Sequence, residues 1–427
     1  MPVRRVAVIA VLGLLALAVP LSATAAPSLP PEPVSAYRVQ GMDTPEARTA
    51  VLRQGVDVLG GGRDYLEVRA SPAQAERLRT SGLRLLPLPA LPPVPGVVAP
   101  GTFPLGYGGY HTYDKLTAEL NSIAAARPDQ VAVSSYGRSV EGRPLPLVKI
   151  SDAVRADQRK PEVLFSCAQH AREHLTVEMC LHIVRRLAQG VGTDPAITQL
   201  VKSREIWVMP MANPDGAEYD ISTGLFALWR KNRQPAAENT ETGTDLNRNW
   251  GTQWGCCGGS STDPADDTYH GTAPFSTPET AQFRDWVNSR VIGGVQQITA
   301  HIDFHSYSEL VLWPYGFTTD DTGPGLNAAD AATFRTLGEA MAATNGYTPQ
   351  QSSDLYITDG TVGDWMWAQH RIWSYTFEMY PTSQAQGGFY PPETEITREV
   401  ERNDAAVDLL LGYADCAPRI VGAGCDP

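Results

Sequence analysis

His170 and Glu173 stand three residues apart, and His305 closes a second segment, Ile298-Thr-Ala-His-Ile-Asp-Phe-His305-Ser306-Tyr307, more than a hundred residues on. Two neutral imidazoles and a carboxylate are the protein part of a hydrolytic zinc site, which keeps a fourth position for water. An isolated H-x-x-E says little; the distant third ligand gives it weight. The run Val163-Leu-Phe-Ser-Cys167 is apolar without helical periodicity, whereas Leu175, Met179, Ile183 and Leu187 recur every four positions. A buried strand therefore gives way to a helix. The polar cluster falls at the turn between them, at the carboxyl end of a strand, where α/β sheets open their ligand crevice.

His170-Ala-Arg-Glu173-His174 also fits H-x-x-E-H, in which both histidines bind zinc and the glutamate is the base of an endopeptidase. That pattern needs all five residues on one helix, but here a strand runs into His170. His174 is expected to be a polar residue that starts the helix.

The elements that must position these residues divide at a proline-rich stretch. Before it, Tyr37–Val39, a helix from Thr44 to Gln54, a hairpin of Val56–Leu59 and Tyr65–Val68 around three glycines, a helix capped by Ser71-Pro72 and a strand from Leu83 to Leu88 follow in the ferredoxin-like order. Six prolines between Pro87 and Pro100 then resist packing and read as an extended linker. After it come a helix from Tyr113 to Ala126 and strands at Val131–Ser135, Leu145–Ile150, Val163–Cys167, Ile206–Met211, Ile298–Phe304 and Ile372–Phe377. Helices at Thr277–Asn288, Ala328–Thr344 and Glu393–Leu411 alternate with them. Such alternation implies a mostly parallel sheet with helices on both faces.

Bulk properties bound the function. The 427 residues are 42% hydrophobic and 19% charged, a globular composition with material for more than one domain. A net charge of −13 argues against nucleic acid or an anionic membrane as partner. Arg4-Arg5, an apolar run to Leu21 and Ala23-Thr-Ala25 have the parts of a secretory signal peptide. Six cysteines in an exported chain can pair fully. Cys416 with Cys425 and Cys167 with Cys180 make plausible loops; adjacent Cys256 and Cys257 either bridge each other or cross-pair. A small domain between signal and linker suggests a propeptide.

Further along the chain stand Trp229-Arg230-Lys-Asn-Arg233, Asp245-Leu-Asn247-Arg248-Asn-Trp250, Tyr356 and Phe377-Glu378. With His170-x-x-Glu173 and His305-Ser-Tyr307, the chain from about Phe103 onward resembles the zinc carboxypeptidases related to carboxypeptidase A. It looks closest to the secreted bacterial members called carboxypeptidase T. The resemblance implies that His170, Glu173 and His305 hold Zn²⁺, that Glu378 is the general base, and that Arg230 stabilises the oxyanion. It implies that Asp245 accepts the second ring N–H of His170. Asn247 and Arg248 would grip the substrate's terminal carboxylate, Tyr356 would close over the terminal residue, and Arg172 and Tyr307 would contact substrate. Structural Ca²⁺ is a further implication, at positions the sequence does not single out.

The resemblance also implies a pocket for the terminal side chain, lined by Leu310, Leu312, Gly316, Leu355, Thr358, Gly363 and Thr376. Gly363 stands where members that cut after basic residues carry an acid, which favours hydrophobic or aromatic ends. Asp359, in the same loop, keeps basic ends open. The expectation is an α/β fold with a zinc-carboxypeptidase-like mixed sheet, helices on both faces, preceded by a small ferredoxin-like α+β propeptide. Residues 1–25 are the signal peptide, 26–102 the propeptide and linker, and 103–427 the catalytic domain. The protein would be a secreted, extracellular, monomeric enzyme acting on peptide and protein C-termini. The alternative, an inactive homologue that binds peptide ends, would lack a ligand, base or clamp, and none is missing.

Overall fold

The computed structural model describes residues 1–2, 34–89, 98–235 and 242–425. The expected signal peptide and the middle of the proline-rich linker lie outside the described residues. From Val34 onward the chain forms one compact unit. No described helix is long and apolar enough to cross a membrane.

The N-terminal part is a four-stranded antiparallel sheet in the order Asp57–Gly61, Tyr65–Ala70, Ser35–Gln40, Leu85–Pro87, with helices Pro45–Leu52 and Pro72–Thr80. Local chemistry sets the helix starts. The Thr44 hydroxyl accepts from Ala47 N ahead of Pro45, and Ser71 with Gln74 forms a reciprocal capping box. The apolar faces of this layer, including Val39, Leu66, Val68 and Leu78, share one cluster with Leu310, Leu312 and Leu355 of the larger part. The small sheet is thus packed onto the rest of the protein through a common core.

The larger part is built on an eight-stranded sheet in the order Thr348–Gln351, Leu310–Trp313, Trp373–Met379, Ile298–Ser306, Glu162–Cys167, Glu205–Met209, Pro144–Ile150, Val131–Arg138. Its central four strands are parallel, but both flanks contain antiparallel pairs. The sheet is therefore mixed rather than mostly parallel. The strand Leu310–Trp313 and the helices Pro195–Ser203, Pro214–Asp220 and Val362–His370 have no counterpart in the sequence reading. The expected helix from Glu393 to Leu411 is instead a short 3₁₀ turn followed by helices Ile396–Glu401 and Asp404–Tyr413. Asn403 marks the break: its buried amide donates to Glu399 O and Tyr347 Oη, and its Oδ1 accepts from Asn345, bonds that compete with helix continuation.

The parallel register positions the chemistry. Phe304 lies beside Cys167 and His305 beside Glu378, so three adjacent strands end at one level. The helix His174–Gly190 follows, tied back to the strand Glu162–Cys167 by the Cys167–Cys180 disulfide. The other bridges are Cys256–Cys257 and Cys416–Cys425.

Candidate active site

Glu173 occupies the N-cap of helix His174–Gly190 but makes no capping bond. Its carboxylate instead faces two imidazoles. Oε1 is 2.8 Å from His170 Nδ1, Oε2 is 3.0 Å from His305 Nδ1, and the two Nδ1 atoms are 3.0 Å apart. The far nitrogens each meet a carboxylate, His170 Nε2 at 3.1 Å from Asp245 and His305 Nε2 at 2.6 Å from Asp303. All these side chains are buried.

The electrostatics suit a cation. Burial pushes the Glu173 carboxyl up, but His170 and His305 hold it well below the usual carboxylate range. Burial works against a charged His305, yet Asp303 and Glu173 raise it well above the ordinary imidazole value. The three inward-facing atoms lie within 4.8 Å of one another and match the His₂Glu donor set that zinc takes.

Around this cluster one cavity is lined by Glu378, Arg230, Asn247, Arg248 and Tyr356. Burial, reinforced by Glu173 and opposed by His305, pushes the Glu378 carboxyl up to about 8. Arg230 donates through Nε and Nη2 to Asp245 Oδ2, at 3.0 and 2.8 Å. Asp245 sits well below the carboxylate range because Arg230 and His170 outweigh its burial. Arg248 donates to Gly259 O, Asn247 O and the Tyr356 hydroxyl. A guanidinium has five N–H groups, so these bonds leave two for a ligand.

Comparison with known proteins agrees with this geometry. The family model described as "Zinc carboxypeptidase" matches residues 116–406. The chain belongs to the zinc carboxypeptidase family. It is 52% identical to a zinc carboxypeptidase of Saccharothrix mutabilis subsp. capreolus, across 99% of this chain and 100% of the relative. Human carboxypeptidase B is 30% identical over 72% of this chain and 71% of its own length. Among solved structures, carboxypeptidase A from Helicoverpa armigera shares the fold with a TM-score of 0.73 at 24% identity, covering 91% of this chain and 98% of that one. Thrombin activatable fibrinolysis inhibitor does so with a TM-score of 0.70 at 20% identity, covering 91% and 99%. The protein is thus a metallocarboxypeptidase, a hydrolase.

Within this zinc carboxypeptidase, His174 stands apart from the cluster of His170, Glu173 and His305. Its Nε2 is 2.9 Å from Asp220, and its ring packs edge-on against Phe103. The H-x-x-E-H pattern therefore does not assemble. Arg172 and Tyr307 are engaged by the N-terminal sheet: Arg172 donates to both oxygens of Asp57, at 2.6 and 2.8 Å, and Tyr307 Oη donates to Glu67 at 3.0 Å. Of the expected pocket residues, Leu312, Leu355, Thr358, Gly363 and Thr376 line the cavity. Leu310 and Gly316 do not, and Asp359 instead accepts from the amides of Cys257 and Gly259. Asp364 and Ser374 join the lining unforeseen. Burial pushes the Asp364 carboxyl up to about 7 while it accepts from Gly316 N. Asp303 was also missed, although His301, Asp303 and His305 alternate along one strand and so share a face. The second described acidic cluster, Asp157, Glu162 and Glu205, is taken up by Arg290 and Lys149 and lends the calcium expectation no support.

Proposed function

We propose that the protein is a secreted zymogen whose mature form removes single residues from peptide C-termini, with His170, Glu173 and His305 holding the zinc. Bound there, zinc supplies a charge that lowers the pKa of water and polarises the scissile carbonyl. Glu378 takes a proton from the attacking water and returns it to the nitrogen as the C–N bond breaks. Arg230 faces the oxygen that gains charge, while its bond to Asp245 keeps it in place. Asp245 holds the proton of His170 on Nε2, leaving Nδ1 for the metal.

The observation that carries the exopeptidase reading is the pairing of Arg248 and Asn247 with Tyr356 in the same cavity as Glu378. The two remaining N–H groups of Arg248 suit a terminal carboxylate, which a guanidinium binds bidentately. A chain passing through the site offers no such group. Gly363 brings no side chain to the pocket it shares with Ser374 and Thr376, where a β-carbon would meet their hydroxyls at 3.7 and 3.9 Å. Large hydrophobic or aromatic ends fit it, with basic ends second.

The test is release of free amino acids from peptides ending in Phe, Leu, Lys or Glu, each free or amidated, with and without a chelator. Only free carboxylates are expected to be trimmed, with Phe and Leu fastest, and the chelator should stop the reaction. Internal cleavage of amidated peptides would refute the carboxylate grip. Arg248→Ala is expected to lower kcat/KM by about 10- to 150-fold, the worth of a charge-assisted hydrogen bond. Steady-state kinetics on a free-acid peptide measure it.

A further inference from the structure

Asp303 is fully buried and meets three polar groups. Its Oδ2 is 2.6 Å from His305 Nε2 and 2.5 Å from Gln169 Nε2, and its Oδ1 is 2.5 Å from Ser166 Oγ. A carboxylate only accepts, so all three neighbours donate. With its proton directed at Asp303, Ser166 Oγ has only a lone pair for His301 Nε2, at 2.8 Å. His301 Nε2 must therefore carry the proton. Burial pushes His301 down to about 4, so the ring is neutral and its Nδ1 is bare. That nitrogen accepts from Ser374 Oγ, 2.9 Å away in the cavity wall.

Every proton is thus assigned along a buried chain from Ser374 through His301, Ser166 and Asp303 to His305. At its end the proton of His305 is held on Nε2, and Nδ1 faces Glu173 and His170. Asn247 Nδ2 lies 3.4 Å from the same Nε2, but two donors form no bond.

We propose that Asp303, gripped by Ser166 and Gln169 and backed by His301, is a positioning residue for zinc: it fixes the ring and tautomer of His305 as Asp245 does for His170. This rests on the reading of His305 as a zinc ligand. Carboxylate partners of ligating histidines raise their basicity and lock their orientation, and losing one typically weakens metal affinity 10- to 100-fold. Asparagine at 303 would keep the shape but turn an NH₂ group towards one of three donors.

The experiment strips the full-length protein of zinc and titrates Zn²⁺ back against a chromophoric chelator. Asp303→Asn is expected to raise the zinc Kd 10- to 100-fold, and Ser166→Ala about fivefold through the loss of one hydrogen bond. His305→Ala should abolish tight binding. A Kd for Asp303→Asn within twofold of the parent, with His305→Ala inactive in binding, overturns the role of Asp303 alone. Unchanged affinity in His305→Ala removes the ligand assignment and this proposal together. If Asp303→Asn does not fold, Ser166→Ala decides: a Kd equal to the parent's overturns the proposal.

Discussion

Replacing Glu378 with Gln is expected to lower kcat by 10²- to 10⁴-fold while zinc content and KM change by no more than a few-fold. Gln keeps the size of Glu but cannot carry a proton between water and the leaving amine, and general-base catalysis is worth that range. Glu378 lies beside His305 in the parallel register yet is not one of the three atoms that converge for the metal. Its loss should therefore spare zinc. The pH profile gives an independent check. A base works only when ionised, so kcat/KM falls on the acid side as Glu378 takes up a proton. Burial holds the carboxyl up at about 8 against the pull of His305 and Arg230, and the charge of bound zinc would move that acid limb to lower pH. In Glu378→Gln the limb should disappear from the residual activity. Steady-state kinetics across pH, with zinc measured by elemental analysis, test both. A loss under tenfold, or an acid limb that persists unchanged, would assign the base elsewhere.

How much of this was legible in the sequence depends on the distance over which each feature is encoded. The strand-to-helix switch around His170 and Glu173 is written within one short stretch, and the cap at Ser71 within four residues. Those features appear where the periodicity places them. Asp303 carried a readable signal, the i, i+2 spacing to His305, but an acid on a buried strand has no obvious partner until Ser166 and Gln169 are seen to meet it from another segment. The strand Leu310–Trp313 is only four residues long and borrows its place from Trp373–Met379 and Thr348–Gln351 on either side. The role expected of Arg172 and Tyr307 could not reveal their actual partners, Asp57 and Glu67, because those contacts join segments 115 and 240 residues apart. Spacing rules reach along one element; docking of one sheet on another is decided by summed surface fit.

That docking leads to the second large effect: cutting the chain within residues 90–97 and removing the N-terminal sheet is expected to raise peptide hydrolysis by two orders of magnitude or more. Val58, Leu59 and Gly60 line the cavity beside Glu378 and Arg230. A β-carbon at Gly60 would lie 2.8 Å from the Tyr307 ring, so the strand edge sits hard against the site. The loop carrying Tyr356 is held from the same side, since Arg48 donates to Asp354 O and Ile357 N donates to Thr49 Oγ1. A substrate terminus needs that space and that loop. The main electrostatic tie is Asp57 with Arg172. Burial pushes the Asp57 carboxyl up, but Arg172 more than reverses this and leaves it at about 2, against 3.8 unperturbed. The folded-state value is depressed, so the tie is fully present above about pH 4 and is lost as pH falls towards 2, a change of roughly 2–3 kcal/mol. Asp57→Asn strands a buried guanidinium, which costs about 3–5 kcal/mol where a buried pair loses one partner. In the uncut protein this variant should therefore show hydrolysis at neutral pH that the parent lacks, and Glu67→Gln, which leaves the Tyr307 hydroxyl an acceptor, should show much less. Parallel assays of cut and uncut chains on one free-acid peptide read both effects. Equal activity before and after the cut would mean that the cavity admits substrate past the N-terminal sheet, and that the Asp57 tie serves folding rather than restraint.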